Sequence, residues 1–265
     1  MIYYKTDEEV ELIRENCLLV SKALTHVATA IKPGVKAIKI DKEAEELIRD
    51  AGAKPGFKGY NGFPATLCIS FNESVVHGIP TDREFEDGDI VSVDCGVYHH
   101  GYYGDAAFTF ALGDVSEDIM SLLRTTRESL YKGIEQAIAG NRLGDIGHAI
   151  QDYAERKRPY SIVRELVGHG LGKNLHEAPE VPNYGRRGSG PKLKDGLVIA
   201  IEPMVNMGRK EVAQLNDGWT VITRDRLPSA HYEHTVVVRK DKADILSDHG
   251  PIEEAIKNNP ELKEI

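Results

Sequence analysis

The sequence has few cysteines, no long apolar run and no excess of positive charge. Its three cysteines, at positions 17, 68 and 95, form no CxxC pair, which argues against a disulfide framework or a cysteine-ligated zinc site. The longest apolar runs, such as residues 197–201, are far shorter than the ~20 residues of a membrane-spanning helix. The net charge of −9 argues against a dedicated nucleic-acid binder. An N-terminus that becomes acidic at Asp7 differs from a signal or transit peptide, so we expect a soluble cytoplasmic protein.

Apolar residues three or four positions apart predict helices in both halves of the chain. The predicted helices cover residues 7–31, 41–51 with Asp41 as N-cap, 116–138, 143–156 and a short segment near 253–257. Prolines 179, 182 and 191 predict that residues 177–194 form a loop. Each helix pair precedes strand-like segments, so we expect an α/β (α+β) fold with duplicated halves, about 1–115 and 116–240. Residues 241–265 are expected to be a peripheral tail.

Two aspartates lie on the strands of a predicted hairpin, within apolar segments where unpaired carboxylates are unusual. If His99 and His100 form the turn, Asp94 lies directly opposite Asp105, with Cβ atoms roughly 4.5–5.5 Å apart. Like charges at this distance repel, so a cation between them would explain the pair. The alternative is a register that slips by one residue, so that the two carboxylates face opposite sides of the hairpin.

The second half of the chain adds three further metal-ligand candidates at strand ends. His169 lies between two glycines, Glu202 ends an apolar run, and Glu233 opens a β-branched strand. The glycines match neither GxGxxG nor the phosphate loop, which argues against nucleotide binding. His231 and His234 have a spacing that suits a helical metal site, but the β-branched residues after them favour a strand. Four carboxylates and one imidazole suit two hard cations sharing bridging ligands.

Several segments, in order and over most of the chain, resemble the methionine aminopeptidases of the short bacterial type I class, within peptidase family M24. The matching segments are residues 61–70, 72–80, 87–91, 94, 104–105, 168–172, 176–177, 201–204, 218–220 and 232–235. The resemblance implies the pita-bread fold, with two pseudo-symmetric halves around a dinuclear metal site. It implies a metalloaminopeptidase that removes the N-terminal methionine from peptides and nascent proteins when the second residue is small.

The resemblance also implies roles for individual residues. Two divalent ions (Co, Mn, Fe(II) or Zn) would be held by Asp94, Asp105, His169, Glu202 and Glu233, with Asp105 and Glu233 bridging. A metal-bridging water or hydroxide would attack the scissile carbonyl. Glu202 would shuttle the proton, His77 would contact the scissile amide nitrogen, and His176 would stabilise the oxyanion. The methionine side chain would enter an apolar pocket of Tyr60, Phe63, Cys68, Leu175 and Trp219.

Three further expectations follow from the same resemblance. A monovalent cation would lie near Asn72, Ser74 and Ser229, and the protein would be a monomer. Because related enzymes act on nascent chains, the basic clusters at residues 156–158 with Arg164, and at 186–187, could contact the ribosome, although a solvated face is the simpler interpretation.

This sequence departs from the family pattern at four positions, and two rival functions stay open. Asn61 replaces a common His, Phe57 a common Cys, Leu175 an aromatic residue, and Gly96 a hydroxyl residue. These departures bear on the shape of the pocket, but none removes a metal ligand. A proline-specific aminopeptidase or dipeptidase of the same fold usually carries an extra N-terminal domain, and a non-enzymatic relative would have lost ligands.

Overall fold

Two helices open the chain, as the periodicity predicts. In the computed structural model, which describes residues 1–265, helix α1 spans Asp7–Ala30. It begins at a capping box in which the Thr6 hydroxyl accepts from the Glu9 amide and the Glu9 carboxylate accepts from the Thr6 amide. Helix α2 spans Ala37–Asp50.

The prediction that Asp41 caps helix α2 is wrong. Asp41 lies inside the helix and is buried. Its carboxylate accepts hydrogen bonds from the amides of Thr66 and Leu67 at 2.9 and 2.8 Å. It therefore supplies the hydrogen-bond acceptor for two backbone amides where the chain enters the first sheet. This role explains an acidic residue on the buried face of a helix.

The first half continues with five strands: β1 (Lys54–Pro55), β2 (Leu67–Phe71), β3 (Ser74–Val76), β4 (Ile90–His99) and β5 (Tyr102–Ala111). The second half opens with two helices, α3 (Glu117–Ile134) and α4 (Leu143–Gln151), the latter followed by a π-helical turn, Asp152–Arg156. Helix α3 ends before the predicted residue 138: the amides of Gln136 and Ala137 bond to carbonyl oxygens three residues back, and the Ala139 amide donates to the Arg239 carbonyl oxygen.

Short strands and one helix complete the chain. They are β6 (Ser161–Ile162), β7 (Gly168–Gly170), β8 (Glu177–Val181), β9 (Val198–Ile201), β10 (Met204–Asn206), β11 (Val212–Gln214), β12 (Val221–Thr223), β13 (Ser229–His231), β14 (His234–Val237), β15 (Asp244–Ile245) and α5 (Gly250–Asn258). No helix is both long and apolar enough to cross a membrane.

The two halves repeat one arrangement of strands. In the first half the antiparallel order is β2-β4-β5, with β4 in the middle. In the second half it is β7-β9-β14, with β9 in the middle, flanked by β8 and β15. Each triplet follows a pair of helices, as the duplicated pattern predicts. Two small sheets, β13-β10-β6 and β11-β12-β3, complete the fold, and the β12-β3 pair joins the halves.

Two expectations about the second half are wrong. Residues 177–181 form strand β8 instead of a loop, and this is an edge strand, where Pro179 removes no hydrogen bond of a central strand. The segment 241–265 is not peripheral, because Ile252, Ile256 and Leu262 belong to the main core. The segment is anchored by Asn259, whose side-chain amide donates to the carbonyl oxygens of Ala28 and Ile31 at the end of α1.

A second, smaller core lies below the predicted substrate pocket. Val10, Ile13 and Cys17 of α1 pack there against side chains of the first sheet and of the loop after β7. These side chains include Phe57, Phe63, Cys68, Leu171 and Leu175. Helix α1 thus supports the floor of the site that follows.

Candidate metal centre and substrate cavity

One cavity of about 200 Å³ brings together all the side chains predicted for catalysis, metal binding and substrate binding. Both halves of the chain contribute to its walls. The lining residues are Phe57, Tyr60, Asn61, Phe63, Cys68, His77, Asp94, Asp105, His169, Leu175, His176, Glu202, Trp219 and Glu233. One end of this set is acidic and the other is aromatic.

The hairpin of β4 and β5 turns one residue later than predicted. His99 pairs with Tyr102, so the turn residues are His100 and Gly101, with φ angles of 50° and 84°. A two-residue turn with positive φ at both positions strongly favours glycine at the second. The histidine pair, which we expected to form the turn, lacks that glycine.

The later turn changes the pairing of the two aspartates but not the face on which they lie. Asp94 pairs with Ala107, and Asp105 pairs with Gly96, so the predicted direct opposition is wrong. The shift equals two residues along the strand, and side chains alternate with a period of two. Asp94 and Asp105 are therefore diagonal neighbours that both line the cavity, which rules out the alternative with carboxylates on opposite faces.

Close backbone packing explains the glycines beside His169. A Cβ atom on Gly168 would lie 2.3 Å from the Ala200 carbonyl oxygen, and one on Gly170 would lie 2.5 Å from that of Ala178. The Nδ1 atom of His169 is 2.9 Å from the Gly170 carbonyl oxygen. An N–H donated there leaves Nε2 as the lone-pair side of the ring, a common arrangement for histidine ligands. Nε2 lies 3.8 Å from Oδ2 of Asp105 and 3.5 Å from Oε1 of Glu202.

Hydrogen bonds between β5 and the chain around β14 hold the ligands of the two halves together. The Glu233 amide donates to the Ala107 carbonyl oxygen at 3.0 Å. The Thr235 hydroxyl donates to the Asp105 carbonyl oxygen at 2.8 Å. As a result, ligand atoms of Asp105, His169 and Glu233 all lie within 4.8 Å of one another.

The electrostatics of the acidic end fit a bound cation. Burial raises the pKa of Asp94 to about 7. Burial and the neighbouring carboxylates also hold the pKa values of Asp105, Glu202 and Glu233 well above their ordinary range. One buried oxygen on each of Asp94, Asp105 and Glu233 has no hydrogen-bond partner in the protein. Such oxygens are rare in folded proteins, and a divalent cation satisfies them while neutralising the clustered charge.

The imidazole groups that line the cavity are suited to remain neutral. Burial lowers the pKa of His169 to about 3, and it also lowers the pKa values of His77 and His176. A neutral imidazole can ligate a metal or donate one hydrogen bond. His77 adopts a φ of 58°, and Gly78 follows it because a Cβ there would lie 2.1 Å from the Ile69 carbonyl oxygen.

Aromatic side chains form the other end of the cavity. The Phe63 and Trp219 rings meet edge to face with centroids 5.1 Å apart. Cys68 pairs with Asp94 across β2 and β4, which places a sulfur between the apolar wall and the acidic end. Leu175 is buried beside His176. The hydroxyl of Tyr60 lies 2.9 Å from Nδ1 of His176 and fixes the orientation of that ring.

Sequence reasoning missed the relation between Phe57 and Gly96, which it treated as separate departures. A Cβ atom on Gly96 would lie only 2.5 Å from the Phe57 ring. The ring thus occupies the space that a side chain at position 96 would fill, and Phe57 lines the cavity. A larger residue at position 57 and a smaller one at position 96 compensate each other in volume. Their joint occurrence in one sequence was the signal that could have revealed the contact.

The histidine pair at positions 231 and 234 does not form a metal site. His234 turns away from the cavity, with Nδ1 2.7 Å from the Ser247 hydroxyl and Nε2 3.2 Å from the Tyr131 hydroxyl. His231 instead lies behind Glu202, with Nε2 3.8 Å from Oε2 of that residue.

Comparison with known proteins agrees with this geometry. The model of metallopeptidase family M24 matches residues 11–240. The methionine aminopeptidase of Clostridium acetobutylicum is 50% identical over 93% of this chain and 99% of its own. Methionine aminopeptidase 1 of Bacillus subtilis is 49% identical over 93% of this chain and 99% of its own. The chain belongs to the methionine aminopeptidase family of M24 metallopeptidases.

Solved structures of this methionine aminopeptidase family share the fold. The Thermotoga maritima methionine aminopeptidase superposes with a TM-score of 0.91 at 42% identity, covering 94% of this chain and all of the other. The prolidase of Pyrococcus horikoshii gives a TM-score of 0.75 at 23% identity, and this chain spans only 63% of it. The predicted pita-bread fold is thereby confirmed. As expected for proline-specific enzymes, that relative is the longer chain.

Proposed function

We propose that this protein removes the N-terminal methionine from peptides and nascent proteins whose second residue is small. The observation that carries the proposal is one cavity with five cation-ligand side chains at one end and an apolar aromatic wall at the other. Such a wall suits a flexible thioether side chain, which makes favourable contacts with aromatic rings. The family membership supports hydrolysis as the reaction at the acidic end.

The metal centre of this proposal contains two divalent cations. Asp94, Asp105, His169, Glu202 and Glu233 would hold them. Oxygen ligands with one imidazole are compatible with Mn, Fe(II), Co or Zn. When bound, such cations act as Lewis acids that lower the pKa of water and polarise a carbonyl oxygen.

The side chains of the protein would orient the substrate and move the proton. Glu202 accepts a proton from the attacking water and delivers it to the departing amine, a role open to a carboxylate that lines the cavity. His77 donates to the scissile amide nitrogen. His176, which Tyr60 holds by its Nδ1 side, directs its other nitrogen to the developing oxyanion.

A peptide assay tests this proposal. Met-Ala-Ser, Met-Lys-Ser and Ala-Pro-Ala are incubated with the protein and Mn²⁺, Co²⁺, Zn²⁺ or Fe²⁺, with and without chelator. We expect cleavage of Met-Ala-Ser alone, lost with chelator and restored by metal. Cleavage of Ala-Pro-Ala would instead favour a proline-specific enzyme, and a lack of cleavage with every metal would favour a non-enzymatic relative.

The wider organisation is also part of the proposal. Residues 1–265 form a single M24 domain with halves near 1–115 and 116–240, and the protein acts as a cytoplasmic monomer, consistent with three free cysteines. A monovalent cation site near Asn72, Ser74 and Ser229 is part of the proposal, because the Ser229 amide donates to the Asn72 carbonyl oxygen at 2.9 Å and so holds these two residues together. Ser74 begins strand β3 in the same region. Light scattering would measure the mass in solution.

Transient ribosome contact would use the exposed basic residues of the π-helical turn and loop at 156–158 and 186–187. Arg164 is excluded from this surface, because it pairs with Glu155 at 2.7 Å and stacks over the Tyr184 ring. Co-sedimentation with ribosomes at increasing salt concentration tests the contact.

A further inference from the structure

His231 has a rigid backbone and a buried ring. It ends strand β13 and pairs with Met204 of β10, two residues after Glu202. Its amide donates to the Thr109 hydroxyl at 3.0 Å, and that hydroxyl donates to the His231 carbonyl oxygen at 2.7 Å. The side chain is only 1% exposed. The position of the imidazole is therefore fixed by strands from both halves.

The ring presents an unpartnered nitrogen to Glu202. Nε2 of His231 is buried and has no hydrogen-bond partner, and it lies 3.8 Å from Oε2 of Glu202. The other oxygen, Oε1, lies 3.5 Å from Nε2 of His169. Glu202 is thus placed between two imidazoles, one on the side of the predicted metal ligands and one behind it.

We infer that His231 is a positioning residue for Glu202: its Nε2–H donates to Oε2 and fixes the orientation of the carboxylate. The bond requires Nε2 and Oε2 to approach from 3.8 Å to about 3 Å. The bond satisfies a buried donor that is otherwise costly to bury. It also distinguishes the two oxygens, so that Oε1 faces the cavity. The inference rests on the proposed function, in which Glu202 is a ligand and proton carrier.

The surroundings of His231 favour a donor over a metal ligand. The donor atoms that lie within 4.8 Å of one another belong to Asp105, His169 and Glu233, and His231 is not among them. His234, its sequence neighbour, is engaged by Ser247 and Tyr131. Outer residues that orient metal-bound side chains typically alter metal affinity or activity about 10- to 100-fold when replaced.

Two variants of equal length separate hydrogen bonding from packing. Gln at position 231 keeps an N–H donor, whereas Met fills similar space without one. With Mn²⁺ and Met-Ala-Ser, we expect His231→Met to lower kcat about 10- to 100-fold, with KM almost unchanged because the aromatic wall is intact. We expect His231→Gln to retain most of the wild-type kcat. Equal loss in both variants, or in neither, overturns the inference.

A readout that does not depend on turnover completes the test. Mn²⁺ affinity is measured by calorimetry on chelator-treated wild type, His231→Met, Glu202→Ala and the double variant. His231→Met should weaken binding in the wild-type background and have no further effect beside Glu202→Ala. An undiminished effect in the double variant contradicts action through Glu202.

Two controls keep the interpretation clear. Thr25→Val removes a partly buried hydroxyl that donates to the Ser21 carbonyl oxygen at 2.7 Å in α1, beyond the part of that helix that joins the core below the cavity, and should lower stability without changing kcat. All measurements are made at a temperature where thermal melts show each variant folded. If wild type itself fails to cleave Met-Ala-Ser, the proposed function falls, while the affinity cycle still tests the contact between His231 and Glu202.

Discussion

Glu202 is placed where function and stability oppose each other. Its pKa is raised by loss of solvent in the cavity wall and then by the neighbouring carboxylates, and this is unfavourable for the charged form unless a cation is bound. We expect Glu202→Ala to reduce kcat by at least ~10²- to 10⁴-fold, the usual contribution of a general acid–base group. In the metal-free protein the same change removes one acid with a raised pKa, so the melting temperature should fall less steeply with rising pH than in wild type. Peptide kinetics and thermal melts measure the two effects, and wild-type activity in the variant would refute the role.

Phe57 and Gly96 should behave as one unit. Gly96→Thr places a side chain where the Phe57 ring lies, with a clash at 2.5 Å already at Cβ. We expect a loss of ~1–3 kcal/mol in the free energy of unfolding, as for other overpacked cores. Phe57→Cys in the same chain should recover most of it. Urea unfolding of the two single variants and the double variant gives the coupling, and additive effects would show that the residues are independent.

At the scale of residues, unusual placement pointed to acidic side chains that the structure brings together in one cavity. Asp94, Asp105, Glu202 and Glu233 were identifiable because acidic residues next to apolar strands are costly without a partner. His231 gave no such signal, because its neighbour Glu202 is remote in sequence. Its distance from Glu202 depends on the pairing of β10 with β13, which short strands leave open to sequence analysis.

The N-terminal segment and the loop before β8 form one structural element. Nζ of Lys5 pairs with Oε2 of Glu177 at 2.5 Å, and both side chains are almost fully buried, 5% and 4% exposed. The Glu177 carboxylate also accepts from the Asn174 amide at 3.2 Å. This pair therefore supports the loop that carries Leu175 and His176.

Breaking this pair should disturb the loop more than the metal centre. We expect Lys5→Met to destabilise the protein by ~3–5 kcal/mol, because it leaves a buried carboxylate without its partner. KM for Met-Ala-Ser should rise, while Mn²⁺ affinity should stay near the wild-type value. Lys5→Met with Glu177→Gln should recover part of the stability. Unchanged KM in a folded Lys5→Met variant would show that the pair does not position the loop.

At the scale of elements, long periodic segments were predicted best. Helix α1 begins at Asp7 as expected, because the capping box and the apolar period agree. The hairpin was predicted, but its turn was placed one residue too early, because the side-chain pattern alone does not locate a turn. Strand β8 was missed, because prolines normally mark loops and its edge position is set by the tertiary fold.

The acidic cluster makes the stability of the whole molecule depend on pH and metal. The pKa of Asp94 rises from 3.8 in its ordinary state to about 7 in the fold, so folding favours the protonated form. The contribution of protonated Asp94 to the free energy of unfolding is complete below about pH 4. It is lost as the pH rises through 7. We therefore expect the melting temperature of chelator-treated protein to fall between pH 5 and 8.

Metal binding should change the sign of this dependence. Cation ligands must be deprotonated, so Mn²⁺ binds more tightly as pH rises, and its stabilisation grows with it. With saturating Mn²⁺ the melting temperature at pH 8 should equal or exceed that at pH 6. Scanning calorimetry with and without metal measures both curves. Parallel curves would mean that these carboxyl groups do not bind the cation.

The duplicated architecture was predictable, but its assembly was not. Repeated helix pairs indicated two halves, and the strand orders β2-β4-β5 and β7-β9-β14 agree with them. The pairing of β12 with β3 and the burial of α5 against α1 connect residues far apart in sequence. Such contacts depend on many weak interactions that no local pattern records.

The hydrogen bond from the Glu233 amide to the Ala107 carbonyl oxygen makes this amide a reporter of how the halves separate. Its hydrogen can exchange with solvent only when β5 and the chain before β14 part, and that parting also pulls Glu233 away from Asp105. A cation held by both halves should therefore slow exchange at this one amide. Deuterium uptake at Glu233, with and without Mn²⁺, would accordingly report how often the two halves separate, without any substrate present.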